Sequence, residues 1–351
     1  MKNKERDVPY CGINKKKFDS IADDIIIPKE NLQRLNTYIC DRYNTHLKKD
    51  YYKEDPPYTD NPILLKYKFT NVFRQQDRVT QWLINNISNN ESISLESKVY
   101  KSIAFRLFSK IETAEILGLG DDNEFDENYA EICRERTKDV SDDYYPFTVA
   151  FSVAGLKGTS HKHHHDDPYI LSPLLLVDDM RKKNLFERLM DSKDQKDCFT
   201  ILNGEKGLGP FLAYQAFVDL TYIEDFPYSE NEFTVAGPGC MKGILYLLGD
   251  GEFINDANFN RLKKNFMKGH SFEEFLFYLR DNIDDLFVGN GIGWDPQSLF
   301  IDLDKDERHI NIMSMENIFC EFFKYNKALD SECPNPRILY KGYAYDDPLK
   351  Y

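Results

Sequence analysis

The stretch Gly204–Gly239, "GEKGLGPFLAYQAFVDLTYIEDFPYSENEFTVAGPG", decides how the chain is read. Its opening, "KGLGPFLAYQ" (Lys206 to Gln215), sets a Gly-x-Gly turn directly before an apolar, helix-forming segment. Glycine at Gly207 and Gly209 lets the backbone turn tightly and approach a ligand with no Cβ in the way. The helix that follows starts with amides that have no partner inside it, and its dipole adds positive charge there. Such a turn suits an anion, phosphate above all. Taken alone, a Gly-x-Gly turn is more often a plain link between core helices. Lys206, Gly207 and Gly209 become DNA-backbone candidates through what the rest of the chain adds.

At 351 residues, with 41% hydrophobic and 14% aromatic residues, the chain can bury a full core as one large domain or two smaller ones. It has no apolar run of about 18 residues, so no membrane span is expected. The start, "MKNKERDVPYCGINKKKFDS", lacks the apolar stretch of a secretion signal. Seven cysteines with no CxxC pair read as scattered reduced thiols. These features point to a cytoplasmic protein with no membrane partner. The net charge of −14 argues against a general nucleic-acid coat. It leaves room for a local basic groove, and basic runs occur at Lys15–Lys17, Arg181–Lys183 and around Arg261, Lys263, Lys264 and Lys268.

Residues 1–58 read as a polar N-terminal extension, closed by the loop "KEDPPYTDNP" (Lys53 to Pro62), and residues 59–351 as one helical domain. Helical spacing of apolar residues marks blocks near 63–87, 97–118, 125–137, 170–200, 209–224, 256–286 and 314–328. "FTVAFSVAG" (Phe147 to Gly155) and "RILYKGYAY" (Arg337 to Tyr345) carry strand signals. The expected fold is mainly α, with at most a small β element. Two helical blocks have an unusual polar face. Asn71, Arg74, Asp77, Arg78 and Gln81 recur at three- and four-residue steps in the first, and Arg106, Lys110 and Thr113 in the second. Cations amid aromatic-rich helices are costly to bury unless they are paired or face a groove.

The opening stretch resembles the hairpin of the endonuclease-III-like, helix–hairpin–helix DNA glycosylases. In that superfamily the catalytic Asp follows the second glycine at a set reach. Counted from Gly209, that window holds Asp225, Glu230 and Glu232. Members that also cut the strand carry a Lys where Phe211 stands here, so the resemblance implies a monofunctional enzyme.

Five stretches then match something narrower: "YKFTNVFRQQDRVTQWLI", "IAFRLFSKIETAEIL", "GPFLAYQAFVDLTY", "EFTVAGPGCMKGI" and "MENIFCEFFKY", in this order. Together they resemble the alpha-glutamyl/putrescinyl-thymine pyrophosphorylase family, also found as the helical domain of 5-hydroxymethyluracil DNA kinases, over Tyr67 to Lys327. The resemblance implies DNA with hypermodified bases, phage DNA in particular, as the partner. It implies two chemistries: removal of a bulky modified pyrimidine by anti-phage glycosylases, or joining of an amine or amino acid to an activated hydroxymethyluracil. Carried over by position, it marks Asn71, Arg74, Asp77 and Arg78, then Arg106, Lys110 and Glu112, then Tyr214, Gln215 and Asp219. From the last stretch it marks Asn317, Glu321, Lys324 and Tyr325. The chain departs from the pattern at Ser109, where Asn is common, at Ala114, where an aromatic is common, and at Phe323, where Asp is common.

A base held in a duplex must be flipped out before an enzyme can reach it. Tyr67, Trp82, Phe105, Tyr214 and Tyr325 are candidate pocket walls, and Asn71, Gln215 and Asn317 can read a base edge. Excision needs a carboxylate to stabilise the sugar cation. Asp77, flanked by Arg74 and Arg78, is the first choice, with Glu232 and Asp219 as rivals. Transfer would instead use Arg74, Arg78, Arg106 and Lys110 to hold a departing pyrophosphate. The expectation is a glycosylase acting on glucosylated or otherwise hypermodified pyrimidines. Amine transfer is the alternative, and a non-catalytic reader of modified DNA the third possibility. No GxxxxGK[ST] phosphate loop is present, so the chain is not expected to phosphorylate by itself.

No cofactor and no metal are implied. "HKHHHDDP" (His161 to Pro168) lacks ligand partners at defined spacing and reads as a polar insertion. "DLDKDERHINIM" from Asp302 starts like a calcium loop but has Glu307 and Met313 at its key positions. "LLGDGEFIND" (Leu247 to Asp256) reads as a turn after a helix. Nothing near Cys240 or Cys320 suggests an activated thiolate.

Overall fold

The structure, a computed structural model, describes residues 15–141, 144–148 and 169–330. It is mainly α-helical, with no β-strand among the described residues. Arg337–Tyr345, most of Phe147–Gly155 and the His-rich tract lie outside them. The described chain divides into two compact units, one of residues up to Arg74 together with those from Thr234, the other of Gln75–Phe233.

Helices α1 (Lys15–Asp24), α2 (Lys29–His46) and α3 (Pro62–Lys66) open the first unit. The polar composition before residue 58 hides an apolar stripe: Leu32, Leu35, Ile39 and Tyr43 follow helical spacing along α2 and are fully buried. Asn31, also buried, donates from Nδ2 to the carbonyls of Leu247 (3.0 Å) and Gly249 (2.7 Å). The end of α2 widens into a π-helical turn, Leu47–Tyr51. Asn61 starts α3 by accepting the Ile63 and Leu64 amides, with Pro62 in the first turn.

The second unit runs through α4 (Arg78–Leu83), α5 (Leu95–Phe108), α6 (Ile111–Leu117), α7 (Tyr129–Thr137), α8 (Ser172–Arg181), α9 (Leu185–Met190), α10 (Gln195–Asn203) and α11 (Gly209–Leu220). Its centre is α5, buried almost all round from Val99 to Phe108 and packed on α8 and α11. A helix apolar on every side is a core helix, which is why its Arg and Lys side chains need internal partners. The opening stretch supplies the turn that follows α10 and the whole of α11, and these two helices pack together. Gly207 (φ 92°) and Gly209 (φ 57°) both take left-handed backbone in that turn. A Cβ at Gly209 would meet nothing within 4 Å, so glycine serves the turn's conformation and not close packing.

The chain returns to the first unit with α12 (Pro238–Leu248), α13 (Phe259–Met267), α14 (Phe272–Gly289), α15 (Pro296–Leu299) and α16 (Ile312–Leu329). Helices α12 and α16 make its main seam. Gly239 and Gly243 form one face of α12. A Cβ on Gly239 would lie 2.6 Å from the Cys320 Sγ, and one on Gly243 2.0 Å from the Phe319 carbonyl oxygen. The glycines of "AGPGCMKG" thus let two backbones touch. Phe319 and Phe322 on α16 have no exposed surface, each worth roughly 1.5–3 kcal/mol of burial, and the Phe322 ring packs on Tyr38 of α2. Ser271 and Glu274 close a reciprocal cap on α14. No described helix is long and apolar enough to cross a membrane.

Candidate functional site

In the first unit, residues from the two ends of the chain converge. The segment Phe69–Arg74, which follows α3, lies along the polar face of α16, where Asn317, Glu321 and Lys324 recur at helical steps. Asn317 Nδ2 donates to Thr70 Oγ1 and to the Asn71 carbonyl, both at 3.1 Å. The Thr70 amide donates to Glu321 Oε2 at 3.4 Å, and Lys324 donates to Glu321 Oε1. From α2, Arg42 Nε reaches the carbonyls of Phe69 (3.2 Å) and Thr70 (3.0 Å), while its Nη2 donates to Asn71 Oδ1. Asn71, Arg74 and Glu321 are all buried. The predicted residues Asn71, Asn317, Glu321 and Lys324 therefore belong to one hydrogen-bond network, and Arg74 is buried in the same Phe69–Arg74 segment.

Arg42, Glu316, His46 and Asp50 of this region were not singled out by sequence, and Asp302 was considered only as the start of a calcium loop. Glu316 is buried on α16, and its Oε1 accepts the Gly237 amide at 3.2 Å. Burial pushes its carboxyl up to about 7 against the pull of the Arg74 guanidinium and the Gly237 amide. His46 is clamped between two carboxylates, Nδ1 to Asp50 at 3.1 Å and Nε2 to Asp302 at 2.9 Å. Burial opposes the imidazolium, yet the bonds to Asp302 and Asp50 outweigh it and raise the His46 pKa. Asp302, from the segment that imitates a calcium loop, also accepts the Tyr43 hydroxyl proton. The "MENIFCEFFKY" stretch contained Glu316, but only burial distinguishes it from a surface glutamate.

Tyr325 sits one step further along α16. Its ring packs on Tyr38 (5.1 Å) and Phe69 (6.1 Å), and its hydroxyl accepts from Asn61 Nδ2 at 2.9 Å. It lines a cleft of about 490 Å³ with Asp41, Lys48, Tyr58 and Asn61.

The other predicted residues lie in the second unit. Arg106 and Asp219 form a two-pronged ion pair, Nε to Oδ2 at 2.6 Å and Nη2 to Oδ1 at 2.5 Å, with Asp219 wholly buried. Lys110 donates to the Tyr145 carbonyl at 2.5 Å and lies over the Tyr144 ring. Tyr214 is a core residue between Phe199 and Phe233, and Gln215 is half-buried beside it on α11. Trp82 stacks on Phe105 at 5.0 Å, two of the expected walls brought together. Asp77 stands at the N-cap of α4 and Arg78, exposed, is its first residue. Glu232 is exposed and accepts from Gln195 Nε2 at 2.5 Å. Lys206 is exposed at the hairpin turn between Glu205 and Gly207. Burial lifts the Cys320 thiol to about 12 and Cys240 well above its usual range, so neither is a thiolate.

A family model described as "5-hmdU DNA kinase, helical domain" matches residues 29–334, from the start of α2 to beyond α16. The chain belongs to this family. Its similarity to a 5-hmdU DNA kinase of Bacillus phage SP10 is 26% identity over 228 residues, which covers 60% of this chain and 35% of that kinase. The matched stretch is thus about a third of the kinase's length. No solved structure matches the chain. The 5-hmdU DNA kinase helical domain begins well before Tyr67, so it includes α2, whose Arg42 donates to Asn71 Oδ1.

Proposed function

We propose that this 5-hmdU DNA kinase helical-domain protein acts on bases derived from 5-hydroxymethyluracil in DNA, as a transferase that joins an amine or amino acid to an activated 5-hydroxymethyl group. The family match favours this alternative over the excision expected from sequence. The observation that carries it is the convergence of Asn71 with Asn317, Glu321 and Lys324 in one part-buried hydrogen-bond network, with the buried Arg74 guanidinium acting on Glu316 of the same helix. Such a network offers cations for a departing phosphate group, amides for a base edge, and carboxyls for protons. Its members hold one another in place, so little reorganisation is needed when charge develops.

The three carboxylates considered for excision offer less. Both oxygens of Asp219 are occupied by Arg106, Glu232 lies at the surface, and Asp77 stands at the N-cap position of α4 in the second unit. In this reading the hairpin of Lys206, Gly207 and Gly209 supplies the DNA backbone contact.

The test uses duplexes that carry thymine, 5-hydroxymethyluracil or its pyrophosphorylated form, incubated with primary amines and amino acids. Nucleoside mass spectrometry should find an amine-bearing thymidine only with the pyrophosphorylated duplex. Released base with alkali-labile DNA would replace transfer by excision. Binding without either product would leave a reader of modified DNA.

A further inference from the structure

The network of the first unit contains several carboxyls and one imidazole, and most of them are fully engaged. His46 has both ring nitrogens on carboxylates. Glu321 has one oxygen on the Thr70 amide and the other on Lys324. Glu316 differs. Its Oε1 accepts the Gly237 amide, and Oε2 has no hydrogen-bond partner among the described residues. The residue is 6% exposed. Its carboxyl sits at the N-terminus of α12, where a Cβ on Gly237 would come within 3.2 Å of Oε1. A buried acidic group with one committed and one uncommitted oxygen can change protonation without rebuilding its surroundings.

The groups around Glu316 are those a transfer site needs. Arg74 faces it from the segment after α3, and Lys324 and Glu321 lie further along its own helix. Cys320 on α16 and Cys240 on α12 adjoin it as neutral thiols. Glu273 on α14 is turned to the Ala236 amide, which donates to it at 3.0 Å. Two cations and a second carboxylate therefore surround one group poised near neutrality.

We propose that Glu316 is the proton acceptor of the transfer, an inference that rests on the transferase reading above. The nitrogen lone pair of the incoming amine forms a bond to the exocyclic methylene carbon of the base. The bond from that carbon to the pyrophosphate oxygen breaks, and its electron pair leaves with the pyrophosphate, which Arg74 and Lys324 hold. The proton shed by the nitrogen goes to Glu316 Oε2. Glu316 returns it to solvent after product release.

The assay is the rate of amine transfer to pyrophosphorylated duplex against pH, for wild type, Glu316→Gln and Glu316→Asp, with DNA affinity measured in parallel. Wild-type rate should rise with pH through an inflection near 7. Glu316→Gln should lose about 100-fold or more in rate with DNA affinity unchanged, and Glu316→Asp should recover part of it with a moved inflection. Transfer by Glu316→Gln at near the wild-type rate would overturn the assignment and leave the transferase reading intact. No product from wild type would sink both. Infrared titration of the free wild-type protein reads the carboxyl directly and does not depend on any variant folding. A protonated-carboxyl band that fades with a midpoint near 7 supports the assignment, and its absence overturns it.

Discussion

Arg106 and Asp219, 113 residues apart, meet in the second unit as a two-pronged ion pair with neither side chain open to solvent by more than 7%. The pair joins α5 to α11, the two helices that pack most of that unit's centre. It ties two candidate site residues to each other across the core of the unit.

Removing one partner leaves a buried charge without compensation. Asp219→Ala should therefore destabilise the protein by about 3–5 kcal/mol, read as a shift of the denaturation midpoint. Adding Arg106→Met should restore much of the loss. Unchanged stability with lost turnover would instead make Asp219 part of the chemistry.

Gly243 gives a sharper steric case. An alanine there would drive Cβ to 2.0 Å from the Phe319 carbonyl oxygen, a backbone atom that cannot rotate away. Gly243→Ala should cost about 1–3 kcal/mol or more through forced separation of α12 and α16. Calorimetry would check it, and a wild-type Tm would mean that the seam is looser than described.

The hairpin separates conformation from contact. Gly209→Ala meets no neighbour, so its only cost is left-handed backbone, about 1–2 kcal/mol. Lys206→Ala should leave stability unchanged, weaken binding across DNA sequences, and reduce the salt slope of affinity by about 1. An unaltered slope would remove the hairpin from the DNA contact.

His46 predicts a pH dependence with a definite sign. Its folded pKa is raised and those of Asp50 and Asp302 are lowered, because the hydrogen bonds of the clamp outweigh burial. The imidazolium contribution is complete below the unfolded value of about 6.5 and is lost as pH rises through the folded one. The carboxylate contribution is complete above about 3.9 and is lost as pH falls through the depressed values. The stability difference between wild type and His46→Asn should be largest near pH 5–6 and shrink towards pH 9, as measured by denaturant unfolding at each pH. A difference that grows with pH would mean a neutral imidazole in the fold.

Much was readable from the residues in order. Apolar spacing marks most helices, because one face of each must meet the core, and the positive-φ turn at Gly207 and Gly209 follows from the Gly-x-Gly that opens the hairpin. The polar faces of the first and second family-like stretches were also visible as patterns, whereas Asn317, Glu321 and Lys324 of the last were marked only by the resemblance. Residues before 58 hid α2, because charged residues on its solvent side diluted the stripe of Leu32, Leu35, Ile39 and Tyr43.

The sequence by itself determined the helical class, the Gly-x-Gly turn and some of the polar residues that need partners. Tertiary structure alone decided which partners they found. Asn317 holds the Asn71 carbonyl across 246 positions, Asp219 closes on Arg106, and Glu316 enters the core beside Gly237. Local spacing reports only which side of a helix is buried. What a buried carboxyl faces, and hence whether it is an ion pair or a proton carrier, depends on packing and desolvation between segments distant in sequence.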